Sequence, residues 1–215
     1  MNKFADILKQ ELAKKLPGTE VHWEMASSDR MIKGFPMVPG PDARVAAVLI
    51  LLYPEDGSVH TVFMQRHNYD GVHGGQISFP GGKKEDSDKD ILQTAIREAE
   101  EETGIDPKGI SVLGTLTPLF IHVSNMFVTP VVGWIDEKPH FNLQPEEVVF
   151  LINAELKRFL DPSIIMIKPF EIRGEMIEVK YFDYDGNVIW GATAMILNEL
   201  LTIFRKSESL SSLLH

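Results

Sequence analysis

The stretch Arg97-Glu98-Ala99-Glu100-Glu101-Glu102-Thr103-Gly104-Ile105 crowds glutamates toward the far end of a helical pattern. Asp88 to Thr103 reads as one helix, with Ser87 or Asp88 as its cap and Gly104 as its left-handed stop. Ile91, Leu92, Ala95, Ile96 and Ala99 form its apolar stripe. At about 100° per residue, Glu98, Glu101 and Glu102 share a neighbouring face, and Glu102 turns toward the edge of the stripe. Glu100 points away into solvent. Like charges three and four residues apart repel by about 0.2–0.5 kcal/mol per pair. Carboxylates in the last turns also meet the negative end of the helix dipole, at about 0.3–1 kcal/mol each. A divalent cation would convert that repulsion into coordination. Hard carboxylate oxygens suit Mg²⁺ or Mn²⁺, which bind substrate phosphates in the same shell. The helix by itself also allows a solvated acidic face.

A second feature narrows the choice. Phe79-Pro80-Gly81-Gly82 ends a strand in a glycine turn, where the backbone can approach a ligand closely. Gly-Gly alone is usually just a turn. A strand, a Gly-Gly turn, a capped helix and a glutamate cluster in that order is far more specific to metal-assisted phosphate chemistry.

These segments need a scaffold. Met1 to Leu16 places Phe4, Ile7, Leu8, Leu12 and Leu16 at helical spacing, an amphipathic helix suited to docking on the domain or to a homodimer. Met25 to Pro41 is an irregular lead-in containing Pro36, Pro39 and Pro41. Strands are expected at 44–53 and 59–66, joined by a Pro54–Gly57 turn, and at 76–79, 110–116, 127–135, 148–152, 164–167 and 176–182. Asp185-Gly186 marks a tight turn into 188–190. A last helix runs from about Ala192 to Phe204, followed by a serine-rich tail, 205–215, expected to fray. The boundaries are 1–42 for the N-terminal helix and lead-in, 43–204 for one α/β domain with mixed strands, and 205–215 for the tail.

Composition excludes several functions. With no cysteine, disulfides, thiol catalysis and cysteine-bound zinc are out. A net charge of −10 with no basic block argues against a nucleic-acid duplex as partner. The longest apolar run, Val45 to Tyr53, is too short to span a bilayer. The start has no signal-peptide core, which favours the cytoplasm. An acidic protein can still take a phosphate substrate when cations bridge the two.

The motif resembles the signature of the Nudix hydrolase family. The second half, Arg97-Glu98-Ala99-Glu100-Glu101-Glu102-Thr103-Gly104-Ile105, is complete. The first half departs: Asp88 stands where the family has Glu, and eight residues rather than seven separate it from Arg97. This variant spacing is similar to the coenzyme A pyrophosphatase branch, as are Gly75-Gln76-Ile77-Ser78-Phe79-Pro80-Gly81-Gly82-Lys83 and Thr94-Ala95-Ile96-Arg97-Glu98. Further similarity runs through Arg44–Val48, Val128–Gly133, Glu147-Val148 and Ile189–Ala194, so that it covers about residues 43–204. Upstream, Arg66 keeps the branch's first arginine, whereas His67 replaces a small residue and Gly71 replaces a second arginine.

The resemblance implies a Nudix-type α/β/α sandwich with a mixed β-sheet. It implies Mg²⁺- or Mn²⁺-dependent hydrolysis of a pyrophosphate in a nucleoside diphosphate linked to another group. Coenzyme A or acyl-CoA is the first-choice small-molecule nucleotide substrate; ADP-ribose, dinucleotides or nucleoside triphosphates stay open, as does a catalytically silent binding domain. Glu98, Glu101 and Glu102 are the expected metal ligands, with the Gly81 carbonyl as a further one, and Arg97 orients them. The general base is one of the helix glutamates or a member of the Glu146-Glu147 pair, with Glu147 named. Arg44, Arg66, Gly81, Gly82 and Lys83 are candidate substrate contacts. His67, His73 and His122 are weaker candidates on loop-like segments, Ser78 and Ser124 have no visible Ser-His-Asp context, and Trp134 and Trp190 are expected in the core.

Overall fold

The computed structural model describes residues 2–28, 30, 38–67, 75–172 and 174–214. Gly71, His73 and, within the Met25–Pro41 lead-in, residues 29 and 31–37 lie outside the described residues.

The N-terminal segment forms α1 (Lys3–Leu12), capped by the Asn2 side chain, and the short α2 (Thr19–Trp23). The central strand is β1 (Arg44–Glu55). Its burial is almost continuous from Ala46 to Tyr53, because both of its faces are covered. It pairs antiparallel with β2 (Ser58–Arg66) and parallel with β7 (Met126–Trp134), in register from Arg44 opposite Met126 to Leu52 opposite Trp134. Around them lie β3 (Ile77–Ser78), β4 (Gly81–Lys83), β5 (Ser111–Thr115), β6 (Leu119–Ile121) and β8 (Val148–Glu155). Together they form one mixed, eight-stranded sheet.

Alternation along β1 sorts its side chains between two layers. Ala47, Leu49, Leu51 and Tyr53 face α3 (Ile91–Thr103), packing with Ala95, Ala99 and Ile105. Ile50 and Leu52 join the opposite core with Trp134, Leu197, Leu200, Leu201 and Phe204 of α4 (Gly191–Lys206), and with Phe4 and Leu8 of α1. The fold is an α/β/α sandwich on a mixed sheet.

Four local differences from the sequence expectations carry physical content. Gly81-Gly82 is a short strand rather than a turn: β4 lies antiparallel on β1, Gly81 opposite Val48. A Cβ at Gly81 would overlap the Ala47 carbonyl, so only glycine permits this approach. The cap of α3 is Asp90, whose side chain accepts from Gln93 N–H, and Asp88 is released for another task. The last three strands, β9 (Ile165–Ile172), β10 (Glu175–Tyr184) and β11 (Asn187–Ile189), form a separate three-stranded sheet. Residues 208–214 of the tail are helical rather than frayed. Glu208–Leu214 forms α5, and Leu210 and Leu214, four residues apart, bury one stripe in the main core.

The N-terminal segment is pinned to α4 by Glu199, whose side chain is fully buried. It accepts from Gly18 N–H at 2.9 Å, from Thr117 Oγ1 at 2.6 Å and from Thr117 N–H at 3.1 Å, and it pairs with His22 Nε2 at 2.9 Å. Among the described residues no helix is long and apolar enough to cross a membrane.

Candidate active site

Helix α3 ends at Gly104, in the left-handed conformation with φ 68°. Its last carbonyls, left over by the helix, are taken by the loop that follows β7. Asn142 N–H donates to Thr103 at 2.8 Å, and Gln144 N–H donates to Glu102 at 3.2 Å. That loop leads to Glu147, so the end of the helix and Glu147 are held together by backbone bonds.

Arg97 gathers the carboxylates on the exposed side. Its Nε and Nη2 grip Asp88 at 2.9 and 3.0 Å, its Nη1 reaches Glu98 at 3.0 Å and Glu101 at 2.9 Å, and Nη2 also donates to the Lys83 carbonyl at 3.0 Å. Asp88 accepts in addition from Thr94 Oγ1 and from Glu85 N–H, each at 2.9 Å. Arg97, aided by the Glu85 N–H, holds its carboxyl well below the usual carboxylate range.

Glu102 is handled differently. Its side chain is 1% exposed, against 16% for Glu98 and 57% for Glu101. It accepts from Gly81 N–H at 2.7 Å and pairs with Arg66 Nη1 at 2.9 Å. Burial pushes its carboxyl up to about 7, further raised by the charges of Glu98 and Glu147, although Arg66 and the Gly81 N–H pull the other way. Burial also raises the carboxyl of Glu98, which Arg97 partly offsets. Glu98 lies directly over Gly82, where a Cβ would overlap its carboxylate. The glycine pair thus serves two purposes: Gly81 closes on β1, and Gly82 makes room for Glu98.

Glu98, Glu102, Gly81, Gly82, Lys83, Arg44, Arg66 and Glu147 all line one cleft of about 1000 Å³. Glu101 and Arg97 stand outside this lining. Among the described residues no three acidic or histidine side chains already converge as a metal-holding group; Arg66 pairs with Glu102, and Arg97 with Glu98 and Glu101. Arg44 donates from Nη2 to the Ser124 carbonyl at 2.6 Å, bracing the connection between β6 and β7. His122, Ser124 and Ser78 line the cleft, whereas His67, bonded through Nε2 to the Pro145 carbonyl at 2.8 Å, and Glu146 do not.

Sequence reasoning missed several lining groups. Trp190, expected in the core, is partly buried, stacks on Phe170 at 6.1 Å and lines the cleft. Arg30, with Nη2 donating to the Phe120 carbonyl at 2.8 Å, arrives from the irregular lead-in. Glu175 and Ile177 come from the small second sheet. Only Trp190-Gly191 carried a visible signal, an aromatic residue immediately before a helix.

A family model described as the NUDIX domain matches residues 43–185. The chain belongs to the Nudix family. It is 38% identical over 172 residues to Nudix hydrolase 15, mitochondrial, of Arabidopsis thaliana, covering 75% of this chain and 60% of that protein. A second Arabidopsis relative, Nudix hydrolase 22, chloroplastic, is 39% identical over 165 residues, covering 74% of this chain and 54% of the relative. The chain therefore spans less than two thirds of either plant protein. A Pectobacterium atrosepticum protein described as uncharacterized Nudix hydrolase NudL is 35% identical over 165 residues, covering 75% of this chain and 83% of the relative. Among solved structures, a C. elegans Ap4A hydrolase in a binary complex is 21% identical, with a TM-score of 0.44 over 54% of this chain and 83% of that one. A MutT protein from Methanosarcina mazei Go1 is 15% identical, with a TM-score of 0.48 over 76% and 96% of the two chains.

Proposed function

We propose that this Nudix protein hydrolyses a pyrophosphate bond in a nucleoside diphosphate linked to another group, with Mg²⁺ or Mn²⁺ as cofactor. The observation that carries the reading is the common cleft of Glu98, Glu102 and the Gly81-Gly82 backbone, roomy enough at about 1000 Å³ for a substrate with two arms. The donors are carboxylate and carbonyl oxygens, the chemistry that Mg²⁺ and Mn²⁺ require. Glu98, Glu101, Glu102 and the Gly81 carbonyl are the residues that would hold the cation. When bound, it neutralises phosphate charge and lowers the pKa of water.

The remaining work falls to the chain. Water attacks one phosphorus and the bridging P–O bond breaks. Of the Glu146-Glu147 pair, Glu147 lines the cleft and is assigned to accept the water's proton. Arg97 does not enter the cleft and acts as a positioning residue, fixing Glu98 and Glu101 against Asp88. Arg44, Arg66 and Lys83 supply positive charge to the phosphates from the lining.

Our first-choice substrate is coenzyme A or an acyl derivative, giving 3′,5′-ADP and (acyl-)4′-phosphopantetheine. The support is Phe79-Pro80-Gly81-Gly82-Lys83 and the spacing from Asp88 to Arg97. A second reading, ADP-ribose, a dinucleotide or a nucleoside triphosphate, is favoured by Gly71, which stands where the branch carries a second arginine. Product analysis with Mg²⁺ across coenzyme A, acyl-CoA, ADP-ribose, diadenosine polyphosphates and nucleoside triphosphates separates them. Turnover of ADP-ribose without release of 4′-phosphopantetheine from coenzyme A would reject the first choice. Equal turnover by the native protein and by the double variant Glu101→Gln, Glu102→Gln would reject the metal-assisted reading itself.

A further inference from the structure

Arg66 occupies the oxygens that the proposed reaction assigns to a cation. Its Nη1 pairs with Glu102 Oε1 at 2.9 Å, and its Nη2 donates to the Gly81 carbonyl at 2.6 Å. The Gly81 N–H closes the ring on Glu102 Oε2 at 2.7 Å. One guanidinium therefore bridges a buried carboxylate and a backbone carbonyl that we assign as ligands. A guanidinium and a divalent cation on the same two oxygens repel each other strongly where water is scarce.

Arg66 is also placed to leave. It is the last residue of β2, at a shift in the register between β2 and β8, and its side chain is 21% exposed in the cleft wall. Arg97 differs on both counts. It is anchored by Asp88 and the Lys83 carbonyl, and it stands outside the cleft lining. The two arginines thus differ in setting: Arg97 is tied to Asp88 and the Lys83 carbonyl outside the cleft lining, and Arg66 lies within it.

We propose that Arg66 is a cationic latch. Without a divalent cation it neutralises Glu102 and covers the Gly81 carbonyl, sparing the protein an unpaired buried charge. Were Glu102 and the Gly81 carbonyl to hold a cation, the Arg66 guanidinium would be released into the cleft, where it would meet a substrate phosphate. Arg66 then couples cation binding to substrate binding, a positioning role that goes beyond simple phosphate contact. The inference rests on the reading of Glu98, Glu102 and Gly81 as cation ligands.

The test is Mn²⁺ binding to the full-length protein without substrate, by calorimetry and by electron paramagnetic resonance, for the native protein, Arg66→Gln, Arg66→Lys and Glu98→Gln. Removing the competing guanidinium should tighten Mn²⁺ binding by about tenfold in Arg66→Gln, the scale of one charge-assisted hydrogen bond. Arg66→Lys, a point charge that cannot bridge both oxygens, should fall between it and the native protein. The KM for the pyrophosphate substrate should rise in both arginine variants. Melting in EDTA should show Arg66→Gln below the native protein, with Mn²⁺ raising its Tm by more than it raises the native value. If Arg66→Gln does not fold, Arg66→Lys carries the comparison. Mn²⁺ affinity unchanged or weaker in the folded Arg66 variants, but lost in Glu98→Gln, overturns the latch and leaves the metal reading standing. Absence of Mn²⁺ binding in every protein overturns both.

Discussion

Arg97 and Asp88 form a two-pronged ion pair, Nε to Oδ1 at 2.9 Å and Nη2 to Oδ2 at 3.0 Å. It sets the plane of the guanidinium, leaving Nη1 to reach both Glu98 and Glu101. Asp88→Asn removes the charge and one acceptor oxygen, so Arg97 loses its anchor and the two glutamates lose their common support. On the proposed reading of Glu98 and Glu101 as cation ligands, loss of a residue that orients them is worth about 10–100-fold in activity or metal affinity, and a drop of kcat/KM in that range is expected with the fold retained. Steady-state kinetics beside a melting curve checks this. Native kcat/KM in Asp88→Asn would show that the pair does not position the site.

The two neighbouring glycines should fail in different ways. At Gly81 an added methyl meets the backbone of Ala47 and Val48, which cannot yield without parting β4 from β1. Gly81→Ala should lower stability by about 1–3 kcal/mol or more. At Gly82 the methyl meets only the Glu98 carboxylate, the end of a flexible side chain. Gly82→Ala should melt near the native temperature and lose activity by about 100-fold, the scale of a displacement of about 1 Å at a reacting centre. Urea titrations and kinetics on both variants separate the effects, and similar stability losses in the two would contradict the assignment.

Glu199 predicts an acid-sensitive joint between the N-terminal segment and α4. Burial pushes its carboxyl up, but His22, Thr117 and the Gly18 N–H more than offset this and hold it below its ordinary value of 4.5. A carboxyl depressed in the folded state contributes stability above its unfolded pKa, and this is lost as pH falls through the folded value. Glu199→Gln should therefore cost about 1–3 kcal/mol at neutral pH. The gap from the native protein should narrow as pH drops below about 4.5. Melting curves from pH 3 to 8 measure it, and a gap that stays constant with pH would refute the linkage.

Trp190 offers a flat ring to the cleft, backed by Phe170 with the planes 10° apart. A nucleotide base or an adjoining apolar arm should gain from that surface. Stacking of a base on an aromatic ring is worth about 1–3 kcal/mol, so Trp190→Ala should raise KM by about tenfold with little change in kcat. Unchanged KM would place the substrate elsewhere in the cleft.

Much of the site was legible because the helix geometry is local. The 3.6-residue repeat alone separates Glu100, exposed to solvent, from Glu102, buried at the edge of the apolar stripe. The same repeat marks α4, and alternation marks β1. Local reasoning failed where a distant partner decided the outcome. Asp88 could have been a helix cap until Arg97, Thr94 and the Glu85 N–H claimed it. Serines 207, 209, 211 and 212 suggested fraying until Leu210 and Leu214 found the main core beside α1.

The sequence by itself determined the family, the longer strands and helices, and the turning of Glu100 away from Glu102, since these depend on residue type and short spacing. Tertiary structure alone decided that Gly81-Gly82 is a strand on β1, that Arg66 reaches Glu102, and that Trp190, Arg30 and Glu147 meet in one cleft. These contacts join residues far apart along the chain. They follow from how the sheet, the helices and the loops pack, and no local periodicity encodes them.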